Sequence, residues 1–281
     1  MSRSCSTRTV GEALRAAVER LSASSDTARL DAELLMAHAL ECSRSDMLLK
    51  RLRDLAPTAF AALVERRAAH EPVAYITGEQ EFYGRTFAVA PGVLIPRGDS
   101  ETIVEAALET SPSPQRVLDL GTGSGALLLT VLAERPAASG VGIDASPQAI
   151  ATASGNAKAL GLANEWRFEP RNWHGEGWSD GLGQFDLVLC NPPYVELYVE
   201  LAPDVRDYEP GQALFAGPEG LDDYRALIPQ LPPLLTDNGV AIFEIGHQQA
   251  DSVAQIAAEA GLSSELRRDL AGRPRALILR R

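Results

Sequence analysis

Cysteine is scarce in this chain of 281 residues: Cys5, Cys42 and Cys190 are odd in number, far apart and form no Cys-x-x-Cys pair. That argues against a disulfide framework and a zinc site, and a reducing, cytoplasmic setting is expected. Histidine is as thin. His38, His70, His174 and His247 are scattered with no metal-ligand spacing, so no metal is expected. No window approaches about 18 consecutive apolar residues, and the polar opening MSRSCSTRTV lacks the roughly 7–15-residue apolar region of a signal peptide. Neither membrane insertion nor export is expected. Positive charge is also short: 26 Lys and Arg stand against 38 Asp and Glu, a net charge of −12, which is wrong for a protein whose affinity comes from neutralising phosphates. The acidity lies wholly beyond residue 85. Nucleic acid is therefore not an expected stable partner, whereas a protein docking through a basic surface is.

What is present is ordinary globular composition, enough for one large domain or two unequal ones. Val10, Ala13, Leu14, Ala17, Val18 and Leu21 follow the i, i+3, i+4, i+7 pattern of an amphipathic helix. A second helix is expected after Asp26 as N-cap, through Leu30, Leu34, Leu35 and a packed His38. A third runs from Thr58 to about His70 and closes at Pro72. At residues 71–96, β-branched and aromatic residues alternate between Gly and Pro, which predicts a hairpin. Beyond it, strands are expected at Arg116–Leu120, Gly140–Ile143, Glu165–Phe168, Phe185–Leu189, Val240–Ile245 and Arg275–Leu279. Helical patterns at Ala126–Glu134, Pro147–Leu160 and Leu221–Leu235 lie between them. Alternating β and α elements predict an α/β, doubly wound, Rossmann-like, mostly parallel sheet with a small all-helical N-terminal domain.

The first of these strands ends in Asp119-Leu120-Gly121-Thr122-Gly123-Ser124-Gly125 and runs into a helix. Glycines there let the backbone pass close to a ligand, and the helix N-terminus presents free N–H groups. The spacing is G-x-G-x-G rather than the G-x-G-x-x-G of dinucleotide enzymes. Asp144, about twenty residues further on, can accept hydrogen bonds from both ribose hydroxyls, although Ala145-Ser146-Pro147 also makes it a candidate helix cap. Asp119 could face the cationic end of a cofactor or equally brace the turn. With no cluster for nicotinamide chemistry and with Asn191-Pro192-Pro193-Tyr194 at the end of the FDLVL strand, the expected cofactor is S-adenosylmethionine, and the expected fold that of a class I methyltransferase.

Methylating a planar amide or aromatic amine requires acceptors aimed at both N–H bonds, because the nitrogen lone pair is delocalised. Asn191 offers a side-chain carbonyl, and the proline-restricted backbone leaves a carbonyl, that of Pro192, free for the second N–H. Pro193 holds the turn, and Tyr194 supplies a flat face for a planar group. Cys190 is expected to be a buried strand residue.

Taken with EPVAYITGEQEFYGRTF (71–87), VLIPRGDSE (93–101), GIDASPQAI with Asn156, DYEPGQALFAGPEGLDDYRALI (207–228) and FEIGHQQ (243–249), these motifs resemble the glutamine N5-methyltransferases of peptide-chain release factors, the HemK/PrmC family. The resemblance covers nearly the whole chain. It implies that the substrate is the glutamine of the Gly-Gly-Gln motif in class I release factors. It implies that Asn191 and Pro192 hold the amide, that Tyr194 packs on it, and that Gly121, Gly123, Gly125 and Asp144 hold the cofactor. It divides the chain into a helical substrate-recognition domain (1–72), a β-hairpin connector (73–96) and a catalytic domain (97–281), expected as a monomer. The family usually reads Pro where Gly98 stands, Thr where Ser100 stands, and an Asp-Trp pair by the adenine where Asn172-Trp173 occurs here; Asn172 keeps an acceptor but not the charge. Arg97 and Glu101 suit an ion pair at the domain junction as well as a substrate contact, and Glu244 is a similar case. Three other readings stay open: an adenine amino-methyltransferase, a ribosomal-protein glutamine methyltransferase, and a methyltransferase fold kept as a binding module.

Overall fold

The structure, a computed structural model, describes residues 8–281. Cys5 and most of the polar opening segment lie outside the described residues. The chain forms two units, one made of the residues up to Glu79 with Leu201–Tyr208, the other of Gln80–Glu200 with Glu209–Arg281.

The first unit is helical. Helix α1 (Val10–Leu21) opens with a capping box in which the Thr9 hydroxyl accepts from the Glu12 N–H at 3.3 Å and the Glu12 carboxylate accepts from the Thr9 N–H at 2.8 Å. Helix α2 (Ala28–Ala39) begins after Thr27, so Asp26 is not its cap. The buried stripe of α2 is Ala28, Ala32, Leu35 and Met36. Leu30 and Leu34 are exposed, and so is His38, contrary to its expected packing. The face turned inward is the one carrying Ala28, Ala32, Leu35 and Met36, packed in the helical core, with Asp31 beside them meeting Arg67 at 2.6 Å, and the Leu30–Leu34–His38 edge is left to solvent. A short α3 (Arg44–Asp46) continues as a π-helical turn over Met47–Arg51, followed by α4 (Phe60–Ala68) and α5 (Val73–Thr77). The hairpin expected within 73–96 is thus preceded by a helical turn. It comprises β1 (Glu79–Phe82) and β2 (Arg85–Ala88).

The second unit continues with α6 (Glu101–Thr110), β3 (Arg116–Leu120), α7 (Ala126–Glu134), β4 (Ser139–Asp144), α8 (Pro147–Ala159), β5 (Trp166–Pro170) and β6 (Phe185–Cys190). After α9 (Pro203–Arg206), which belongs to the first unit, come α10 (Asp222–Leu227), β7 (Leu235–Glu244), α11 (Ala250–Glu259), β8 (Ser263–Arg268) and β9 (Pro274–Arg280). The seven-stranded sheet has the order β5-β4-β3-β6-β7-β9-β8, parallel through β7 and antiparallel at β9 and β8. Central strands β3 and β6 bury nearly every side chain, as a parallel strand covered on both faces must. Each fully buried Leu or Val there contributes roughly 1.5–3 kcal/mol. The helix expected over Leu221–Leu235 stops at Leu227, because Pro229, Pro232 and Pro233 break it into 3-10 turns. Among the described residues no helix is long and apolar enough to cross a membrane.

The chain order reverses between β3 and β6: β4 and β5 extend the sheet to one side, β6 and β7 to the other. A crevice opens at such a switch point beyond the carboxyl ends of the strands, and both chemistry-bearing motifs sit there.

Candidate active site

The turn after β3 has the shape its glycines predict. Gly121, Gly123 and Gly125 have φ of 75°, 53° and 82°, and the last leads directly into α7. A Cβ at Gly121 would stand 3.2 Å from the Trp173 ring, so the indole lies close against the loop backbone. Asp144, at the end of β4, ties this turn to the next. Its Oδ2 accepts the Gly123 N–H at 2.9 Å and its Oδ1 the Ser146 N–H at 2.8 Å. Ser146 itself caps α8 through Ala149. Burial raises the Asp144 pKa, and the two amides oppose that rise. Each carboxylate oxygen has a second lone pair, so both remain able to take a hydroxyl.

Asp119 lies behind the loop, not in the crevice: it is 1% exposed, and its Oδ2 accepts the Thr122 hydroxyl at 2.7 Å. Of the two roles open to it in the sequence, the geometry gives bracing of the turn. Its Oδ1 has no hydrogen-bond partner among the described residues, and burial pushes its pKa up to about 7 despite the Thr122 bond, with Asp144 adding to the rise.

A cavity of about 530 Å³ adjoins these groups. Gly121, Thr122, Gly123, Asp144, Asn172, Trp173, Asn191 and Pro193 line it, whereas Asp119, Gly125, Pro192 and Tyr194 do not. Gly125 instead packs under the loop, where a Cβ would meet Leu129 at 2.8 Å. The Asn172 side-chain Oδ1 accepts the His174 N–H at 3.0 Å, closing an Asx turn. Asp223, also in the wall, was not singled out from the sequence although it stands in the quoted 207–228 segment. Its Oδ1 takes both the Trp173 indole N–H at 2.7 Å and the His174 ring at 3.0 Å, which fixes the indole against Gly121.

Asn191 ends β6. Its Nδ2 donates to Ser100 Oγ at 3.4 Å, Ser100 donates to Glu244 Oε2 at 2.5 Å, and Tyr194 donates to Glu244 Oε1 at 3.1 Å. The Tyr194 hydroxyl is held by Glu244, and its partly buried ring packs against the main core cluster. Burial raises the pKa of both Tyr194 and Glu244, with Ser100 and Arg275 pulling that of Glu244 back. Cys190 is fully buried, as its strand position predicts. Arg97 and Glu101 do not pair with each other. Arg97 pairs with Glu209, which also accepts the Ile95 N–H, and Glu101 accepts the Tyr83 N–H at 2.8 Å. Asn156 joins β2 to the glycine loop, bonding Ala88 on both sides and the Ser124 carbonyl at 2.8 Å.

Residues 12–78 match the PrmC N-terminal domain family and residues 112–259 a methyltransferase domain family. A protein of Cereibacter sphaeroides named release factor glutamine methyltransferase is 42% identical over 276 residues, covering 96% of this chain and 97% of its own. One of the same name in Nitratidesulfovibrio vulgaris is 40% identical over 280 residues, covering 95% and 94%. The chain belongs to the release factor glutamine methyltransferase family. A solved methyltransferase of Pyrococcus furiosus, 15% identical with a TM-score of 0.51 over 70% of this chain and 89% of that one, shares the fold. Within a release factor glutamine methyltransferase the cavity brings together what the sequence kept seventy residues apart: the glycine turn, the end of β4 and the end of β6.

Proposed function

We propose that the chain transfers a methyl group from S-adenosylmethionine to the side-chain amide nitrogen, N5, of the glutamine in the Gly-Gly-Gln motif of class I release factors. The observation that carries this reading is that Asn191 lines the same cavity as Gly121, Gly123 and Asp144. The residues present fit the cofactor. Gly121 gives the close backbone approach, Asp144 keeps acceptor capacity for a ribose diol, and Trp173, held by Asp223, offers a flat wall for a base.

When bound, the cofactor supplies a methyl carbon on a cationic sulfur. The work of the chain is orientation. Asn191 Oδ1, at the opposite end of its amide from the Ser100 contact, accepts one N–H of the target amide, and the backbone carbonyl of Pro192, whose ring is buried behind the cavity wall formed by Asn191 and Pro193, accepts the other as the family resemblance implies. Held at both hydrogens, the nitrogen keeps its lone pair in line with the methyl carbon. Methyl transfer from the bound cofactor would replace one N–H of the held amide, and that proton would pass to solvent. The nucleophile is neutral, so positioning and fixed dipoles carry the rate and no strong general base is required. The N-terminal residues 1–72 serve recognition of the release factor, the hairpin region 73–96 connects, and 97–281 catalyse, in a cytoplasmic monomer that holds no nucleic acid stably.

The test is methyl transfer from labelled S-adenosylmethionine to a purified class I release factor, beside its Gly-Gly-Gln glutamine-to-alanine form and a DNA control. Label should enter the intact factor alone. Asn191→Ala should lower kcat at least about a hundredfold, as expected for removing an orienting acceptor. Label in DNA, or in neither, overturns the reading.

A further inference from the structure

We infer, resting on the reading that Asn191 holds the target amide, that Ser100 and Glu244 are positioning residues that decide which way the Asn191 side chain faces. An asparagine has a donor end and an acceptor end of nearly equal shape, and only the acceptor end can take an N–H from a substrate amide. Turned over, Asn191 would set its NH2 against the NH2 it must hold. Something has to fix the flip.

Glu244 is where the polarity starts. It is 1% exposed, at the end of β7, with Arg275 Nη1 4.0 Å from Oε1 as the compensating charge; Arg275 is itself held by Asp99 at 2.7 Å and Asp269 at 3.6 Å. An ionised carboxylate only accepts. Both hydroxyls that touch it must therefore donate: Tyr194 to Oε1 and Ser100 to Oε2. A serine has a single hydroxyl proton, and here it is committed to Glu244 at 2.5 Å. The oxygen Ser100 turns toward Asn191 can then only accept, which selects the flip with Nδ2 facing Ser100 and Oδ1 at the far end. At 3.4 Å that last contact is near the long limit of a hydrogen bond, so it orients Asn191 more than it binds it. The three residues come from the start of α6, the end of β6 and the end of β7, so only the folded sheet assembles the relay.

Steady-state transfer to the release factor is measured for the full-length wild type, Ser100→Ala, Ser100→Thr, Glu244→Gln and Asn191→Ala, and for the last combined with Ser100→Ala. Cofactor affinity and melting temperature are recorded in parallel. Ser100→Ala should lower kcat about tenfold with cofactor affinity within about twofold, and Ser100→Thr, which keeps the hydroxyl, should recover most of it. Glu244→Gln offers one acceptor where two hydroxyls need one, so it should cost at least as much as Ser100→Ala. The deciding result is the double variant: Ser100→Ala should cost nothing further once Asn191 is alanine, because it acts only through Asn191. If Ser100→Ala leaves kcat unchanged, or costs the same with and without Asn191, the positioning role is wrong while the functional reading stands. If the wild type transfers no methyl to the release factor, the functional reading fails and the assignment falls with it.

Discussion

Gly123 donates its backbone N–H to Asp144 Oδ2 at 2.9 Å, joining the glycine turn after β3 to the end of the neighbouring strand β4. One carboxylate thereby shapes the loop and faces the cavity the loop walls. Asp144→Ala should weaken S-adenosylmethionine binding at least about tenfold, the loss of charge-assisted bonds on both sides, and Asp144→Asn should fall between. Calorimetric titration reads this directly; unchanged affinity in Asp144→Ala would show that the carboxylate serves only the turn.

The glycines of the loop differ in what they tolerate. At Gly125 an added Cβ would meet Leu129 at 2.8 Å and Ala153 at 3.2 Å on a left-handed backbone, whereas at Gly123 no atom lies within 4 Å. Gly125→Ala should destabilise by roughly 2–4 kcal/mol, strain plus clash, and Gly123→Ala by only about 1–2 kcal/mol from the backbone alone. Urea unfolding of the two variants distinguishes them.

Asp119 leaves a pH signature. Its folded pKa of about 7 lies above the ordinary value of an unfolded chain, so the fold prefers its protonated form. That contribution is complete below about pH 4 and is lost as the pH climbs through about 7. Stability without cofactor should therefore decline between about pH 4 and pH 7 and level off above. Asp119→Asn keeps an acceptor for Thr122 and should reduce the decline, leaving the contributions of Asp144 and Glu244, whose pKa values burial raises as well. Equal slopes in the two proteins would contradict this.

In the helical unit, Arg67 is 8% exposed at its side chain and holds Asp31 at 2.6 Å, with Asp204 at 3.6 Å. Removing one partner of a buried pair strands the other, so Arg67→Ala should destabilise that unit by about 3–5 kcal/mol. Limited proteolysis should then cut within the helical residues first. A variant as resistant as the wild type would place the stability of the unit in its apolar core alone.

Much of this was legible in local sequence because local physics writes it there. Helix α1 shows its apolar period and its Thr9–Glu12 box, α7 its apolar run from Ala126 to Ala133 interrupted only by Thr130, and the G-x-G-x-G turn its need for positive φ. Other features were not. Strand β8, Ser-Ser-Glu-Leu-Arg-Arg, carries no apolar alternation because it is an edge strand paired on one side only. His38 sits in an apolar-looking stretch, yet the face of α2 that packs inward is that of Ala32, Leu35 and Met36, and His38 lies on the other side. Asp223 is one of three neighbouring polar residues, and nothing local marks it as the one that holds Trp173.

The sequence by itself determined the class of the site: glycines that permit a close backbone approach, an acidic residue one strand later, and an Asn-Pro-Pro-Tyr turn whose prolines restrict the backbone. These are properties of single residues and of their nearest neighbours. Only the tertiary structure decided which groups line the cavity and what holds them, sending Asp119 under the loop, tying the Tyr194 hydroxyl to Glu244, and bringing Ser100 beside Asn191. Those roles depend on the order and register of parallel strands far apart in the chain, and hydrogen bonds across 91 and 144 residues leave no periodicity for a linear reading to find.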